Sequence, residues 1–148
     1  MTSEELAYTA GFFDGEGSIS IIKYNPSVRC SIPTFSLVVK VTNNDKVVLE
    51  QLKGWFGGSV SPQNRGYRTY EWQVTSLLAK SFLEQVLPYL IIKKDRACLG
   101  IEFQKHKSSY KKLERTKSMP EEEILARNTY RECIHELNFS NRRYISLN

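Results

Sequence analysis

The chain has 148 residues, 41% of them hydrophobic and 25% charged, with a formal charge of +5 at neutral pH. That length suits one domain with a sizeable core; no apolar run approaches the ~20 residues a membrane span needs, and Cys30, Cys98 and Cys133, odd in number and without Cys-x-x-Cys spacing, argue against a disulfide framework or zinc site. The first 22 residues hold four acids and no base, leaving +9 on the remainder, an asymmetry that suits a polyanionic partner. The start of the chain lacks the basic residues of a signal or transit peptide, so the expectation is a soluble, intracellular protein of unassigned compartment. His106 and His135 lie far apart among charged residues and read as surface positions.

Thr2-Ser3-Glu4-Glu5 has the form of a capping box, and the helix it opens is expected to run to about Gly15. Ala10, Gly11 and Gly15 on adjacent turns leave a nearly bare stripe, along which another helix can approach at backbone distance. Gly15 and Gly17 are free to take positive φ, so the chain is expected to leave the helix sharply and present Glu16 beside an open backbone carbonyl. Both are hard oxygen ligands, suited to Mg²⁺.

Period-two alternation then predicts a strand from Ser18 to Tyr24 and, past a turn near Asn25-Pro26, a second with Phe35, Leu37, Val39 and Val41 on one face and Ser36, Val38, Lys40 and Thr42 on the other. A helix from about Asp45 presents Val48, Leu49, Leu52, Trp55 and Phe56 and stops at Gly57-Gly58. Strands follow at about Ser59 to Pro62 and Arg68 to Thr75, linked by the turn-prone Gln63-Asn64-Arg65-Gly66. A helix from Ser76 to Leu87 offers Leu77, Leu78, Phe82, Leu83 and Val86 as its apolar set, and Pro88 closes it. Lys93 to about Lys112 reads as a long helix with a seam of Ala97, Gly100, Ile101 and Phe103. Ser118-Met119-Pro120-Glu121 starts a last helix, with proline at its first position, and the final ten residues look loosely held. The order predicts an α+β fold: an αββαββα core with a curved antiparallel sheet covered by helices on one face, plus C-terminal helices. One domain over 1–148 is expected, its core at about 3–112 and a helical extension at about 118–138.

Ala10-Gly11-Phe12-Phe13-Asp14-Gly15-Glu16-Gly17, followed by Ser18-Ile19, resembles the signature of the LAGLIDADG homing endonucleases, and one copy is present. The likeness extends over roughly Leu6 to Gly100. A single copy marks members of that family that work as homodimers, which implies a dimer through the motif helix at Ala7, Ala10, Gly11 and Asp14. The resemblance also implies that Glu16, with the Gly15 carbonyl, binds a divalent metal. Asp14 then fits a capping or packing role at the helix junction. Lys93 matches a basic position near the family's active site and Asn43 a polar, water-positioning one. A further basic residue of some relatives is missing, because Val47 stands in its place with Lys46 beside it.

If helices cover one sheet face, the other carries Ser18, Ser20, Ile22, Tyr24, Ser36, Val38, Lys40, Thr69, Glu71 and Gln73. A ribbon with such a face can lie in the major groove, where Lys reads guanine, Gln reads adenine, Glu reads cytosine and apolar groups meet the thymine methyl. Arg29, Arg65 and Arg68, in hairpin loops or at strand ends, are placed to reach flanking bases or phosphates. The basic run Lys105, Lys107, Lys111, Lys112, Arg115 and Lys117 is suited to tracking phosphates. The expected function is thus a Mg²⁺-dependent, site-specific endonuclease that cuts both strands of a long pseudo-palindromic DNA site and promotes intron mobility. The alternatives are an RNA maturase acting on its own intron and a non-cutting DNA-binding regulator on the same scaffold.

Overall fold

The computed structural model of the chain describes residues 1–28, 32–64, 68–110 and 118–143. The elements follow the expected order: α1 (Ser3–Glu16), β1 (Gly17–Tyr24), β2 (Thr34–Asn43), α2 (Lys46–Phe56), β3 (Ser59–Asn64), β4 (Arg68–Thr75), α3 (Ser76–Val86), a 3-10 turn (Leu87–Tyr89), α4 (Lys94–Ser109) and α5 (Glu121–Arg143). The four strands form one antiparallel sheet in the order β1-β2-β4-β3. The fold is α+β. No helix among the described residues is long and apolar enough to cross a membrane.

Alternation along the strands divides the sheet into two unlike faces. Ile19, Ile21, Leu37, Val39, Val41, Trp72 and Val74 are almost wholly buried beneath the helices. Phe82 of α3 is the hub of this core: its ring lies 5.1 Å from Phe13 of α1, 4.9 Å from Phe56 of α2 and 5.1 Å from Trp72 of β4, each edge to face. Gly100 lets α4 settle on this layer, since a Cβ there would stand 3.0 Å from Leu37 Cδ1 and 3.2 Å from Leu83 Cδ1. Asn138 fastens α5 to both α4 and β1, accepting from Arg96 Nη1 at 3.0 Å and donating to the Ile19 carbonyl at 3.1 Å.

Several local expectations are corrected. Leu77 and Leu78 do not join the core; they are 64% and 51% exposed, and α3 buries Ala79, Phe82, Leu83 and Val86. Those four follow i, i+3, i+4, i+7 spacing, and the two leucines fall outside the stripe. β3 continues through Asn64, two residues past its expected end. α5 runs to Arg143, and Pro120 precedes its first turn, its carbonyl accepting from the Glu123 and Ile124 N–H groups. His106 is not a plain surface residue: its Nε2 lies 3.0 Å from the Glu123 carboxylate, which Arg127 Nε also engages at 2.6 Å.

Candidate active site and nucleic-acid face

The capping box forms as expected: Glu5 N–H donates to Thr2 Oγ1, and Thr2 N–H donates to Glu5 Oε2. α1 then passes into β1 without a loop, Gly17 serving both as the helix cap and as the partner of Val41 in β2. Gly17 does not use positive φ; its φ is −86°, ordinary extended backbone. A side chain is excluded there for another reason, since a Cβ would collide with the ring and carbonyl of Phe13. Positive φ is spent instead at Gly57 and Gly58, where α2 turns into β3.

The two carboxylates of the junction have separate surroundings. Asp14 is buried and accepts from three backbone N–H groups, those of Ile91 (2.8 Å), Ile92 (3.1 Å) and Lys93 (3.0 Å). It therefore caps the entry to α4, and neither Asp14 nor Ala10, which is fully buried in the core, has surface to give to a second chain. Both are corrections to the expected dimer set. Ala7 and Gly11 are exposed, and Gly15 lies on the same side with open space around it. Tyr8 and Phe12 stack beside this stripe, ring centres 6.3 Å apart.

Glu16 is exposed and makes no hydrogen bond or ion pair among the described residues. The Gly15 carbonyl lies in the final turn of α1, where carbonyls lack intrahelical donors. Lys93 comes to this point from 79 residues away: its ammonium donates to the carbonyl of Asp14 and sits 5.9 Å from the Phe13 ring centre. Burial pushes Lys93 below the usual lysine range and Arg96 pushes it the same way, while Asp14 and Glu16 act in opposition. Asn43 leaves β2 two residues beyond Val41, the partner of Gly17, so the sheet carries it to the same end. Its Oδ1 is occupied by the Asp45 N–H at 2.8 Å, and Asp45 Oδ1 in turn caps α2 through Val47 N–H. Lys46 pairs with Glu50 at 3.4 Å and lies over the Tyr70 ring, with Val47 exposed beside it.

The sheet face opposite the core is mixed and polar. Cross-strand register places Ser18, Lys40, Gln73 and Ser59 in one row across all four strands, with Thr42, Glu71 and Ser61 in the next. Lys40 and Glu71 form a 2.9 Å ion pair on it. Ser20, Ile22, Ser36 and Thr69 are half-buried here, and Tyr24 and Arg68 are exposed. Val38 is the exception: at 1% exposure it offers no surface, held mid-sheet between Ser20 and Thr75. Ser59, Ser61 and Gln63 of β3 belong to this face although the sequence did not single them out; only the pairing with β4 reveals their direction. Arg29 and Arg65 fall outside the described residues, as do Lys111, Lys112, Arg115 and Lys117 of the basic run. Lys105 is exposed, and burial pushes Lys107 below the usual range, with Arg127 adding to the effect.

The sequence profile of the family described as LAGLIDADG endonuclease matches residues 9–94, from within α1 to the start of α4. No curated protein sequence matches the chain. Among solved structures, the homing endonuclease I-CvuI in complex with a DNA target superposes with a TM-score of 0.74 at 19% identity, covering 90% of this chain and 82% of that one. An archaeal intron-encoded homing endonuclease complexed with DNA gives 0.74 at 18% identity, covering 90% and 84%. The meganuclease I-SmaMI bound to uncleavable DNA gives 0.67 at 21% identity, and there the match takes in 86% of this chain but 43% of the other. With the profile spanning more than half of its length, the protein belongs to the LAGLIDADG endonuclease family.

Proposed function

We propose that the protein is a homodimeric, divalent-metal-dependent homing endonuclease that cuts both strands of a pseudo-palindromic DNA site. The observation that carries this reading is Glu16: an exposed carboxylate without a partner among the described residues, one peptide bond from a glycine already paired into an open polar sheet. Its carboxylate and the Gly15 carbonyl are hard oxygens and fit Mg²⁺, which takes about six ligands. One chain supplies too few, leaving places for a second chain and for phosphate oxygens. When bound, the ion lowers the pKa of an attacking water and offsets charge on the leaving oxygen.

Lys93 holds positive charge one peptide unit from Gly15, where it counters negative charge developing on the phosphate. With its oxygen committed to Asp45, Asn43 keeps its amide NH₂ for orienting water as a donor. The outer side of α1, bare at Ala7, Gly11 and Gly15, is the surface on which two copies meet, and a two-fold axis there pairs the Glu16 residues and makes the target palindrome-like. In support, the match takes in less than half of I-SmaMI, whose single chain has room for a second such unit. Under this reading the open sheet face reads bases in the major groove, and cutting promotes mobility of the intron that carries the gene.

The test is to incubate the protein with a plasmid library of randomised inserts, with Mg²⁺ or with chelator, and to sequence new ends. Metal-dependent ends clustered at one pseudo-palindromic site are expected. Specific binding without cutting would overturn the nuclease reading in favour of a regulator or maturase.

A further inference from the structure

The C-terminal half of α5 lies along β1, an edge strand of the sheet, and the two enclose a cleft of about 260 Å³. Its floor is apolar, formed by Ile21 and Ile134; its polar lining is Ser20, Lys23, Arg131, His135 and Asn138, with no carboxylate among the lining residues. Asn138 is already bonded to Arg96 and to the Ile19 carbonyl. Neither Lys23 nor Arg131 has an ion-pair partner among the described residues, and Lys23 is steadied over the Phe35 ring at 5.7 Å.

Charge on this stretch of α5 is sorted by side. Arg131, Ile134, His135 and Asn138 follow i, i+3, i+4, i+7 spacing and face the cleft, while Glu132 and Glu136 are exposed and do not line it. A helix needed only to cover the sheet edge gains nothing from clearing every acid off the side that faces an unpaired Lys23. An anion in the cleft would. Ile21 and Lys23 point to the helix-covered side of β1, whereas Ser20 and Ile22, which also line the cleft, belong to the open face, so the cleft lies at the strand edge where the two faces meet and borders the proposed DNA surface. A sheet seated in the major groove is bordered on each long side by a phosphate backbone, and β1 is one of its two borders.

We propose that the cleft between β1 and α5 is a phosphate-binding site in which Lys23 and Arg131, with His135 beside them, grip the DNA backbone alongside the sheet. The assignment rests on the DNA-binding reading above and adds to it a contact that positions the duplex without reading its bases.

The experiment measures affinity of the full chain for a fluorescent random-sequence DNA duplex across a salt series, together with the preferred sequence selected from a randomised duplex library. Each neutralised phosphate contributes about 0.9 to the slope of log affinity against log salt. Lys23→Gln combined with Arg131→Gln should flatten that slope by about 1 to 2 and leave the selected sequence unchanged. Lys23→Arg combined with Arg131→Lys, which keeps both charges, should retain most of it. Lys53→Gln with Lys80→Gln, an equal change of net charge on the helix layer, should leave the slope near that of wild type. An unchanged slope in the cleft variant, an equal flattening in the helix-layer control, or a shifted sequence preference overturns the phosphate site. Wild-type protein that binds no duplex at low salt overturns the DNA reading itself.

Discussion

Ala10, Phe13 and Asp14, on the inner side of α1, are enclosed by the chain's own core and the entry to α4, whereas Ala7, Gly11 and Gly15, on the outer side, stand in open space. Both sides use small residues. On the inner side Ala10 makes room for close packing within the subunit, and that requirement is met in the single chain. On the outer side Gly11 carries the helix-propensity cost of glycine, about 1 kcal/mol against alanine, with no contact in the chain to offset it. Smallness inside is explained by the fold; smallness outside is explained, on the function proposed here, by a second body. Glu16 lies where the two sides run out, at the tip.

Substitutions at the tip, the inside and the outside should separate accordingly. The largest effect is expected from Glu16→Gln, which should lower the cleavage rate by about 10² to 10³ or more, the scale seen on removing a group that stabilises transition-state charge, while DNA affinity in chelator stays within about twofold. Gel-shift and plasmid cleavage on one preparation check it, and full cutting by the variant would remove Glu16 from the chemistry. Asp14→Ala, on the inside, should cost about 3 kcal/mol in urea unfolding, because three buried or half-buried N–H groups lose a charged acceptor. A loss below ~1 kcal/mol would show that the capping of α4 contributes little.

Gly11→Leu, on the outside, should leave monomer stability unchanged or slightly raised, as leucine is the better helix former. It should weaken the proposed dimer by about 1 to 3 kcal/mol through overpacking, about 5- to 150-fold in Kd. Sedimentation over a concentration series reads this directly, and a variant that dimerises like wild type would sink the outer face as the interface. The smallest effect concerns Lys93, again on the inside. Burial holds its folded-state pKa below the usual value near 10.5, so between the folded value and 10.5 the unfolded chain binds more protons and stability rises with pH. Lys93→Met should remove that part of the rise, and the part contributed by Lys107, lowered for the same reason, should remain.

What could be read in the sequence was what is settled within a few residues. The Thr2–Glu5 box, the alternation that puts Leu37, Val39 and Val41 under the helices, and the Gly57-Gly58 stop all depend on neighbours along the chain. The apolar set of α3 includes Leu77 and Leu78 by sequence because they are as hydrophobic as Phe82 and Leu83; only which side of the helix meets the sheet tells them apart, and that is set by packing. The motif gave the residue types at the site and left open the direction in which each points. That Asp14 is an internal cap depends on N–H groups 77 to 79 residues away, a relation no local pattern carries. In the same way Val38 alternates with the open face yet is covered in the middle of the sheet, and the β3 residues join that face only through their register with β4.

The direct passage from α1 to β1 has one further result. Glu16 and Ser18 are two residues apart with the glycine between them already bonded into the sheet, so on the function proposed here the cutting group and the first residue of the reading face are separated by no more than about 7 Å of chain. A loop would let the place of scission drift relative to the bases that are recognised. On that function the protein would act as a rigid gauge: covalent geometry would hold the distance from contacted base to broken bond, and a new target could be acquired by changing strand residues without a change in where the cut falls. A residue inserted between Glu16 and Ser18 would alter both at once, moving the cut and turning every side chain of β1 to the opposite face.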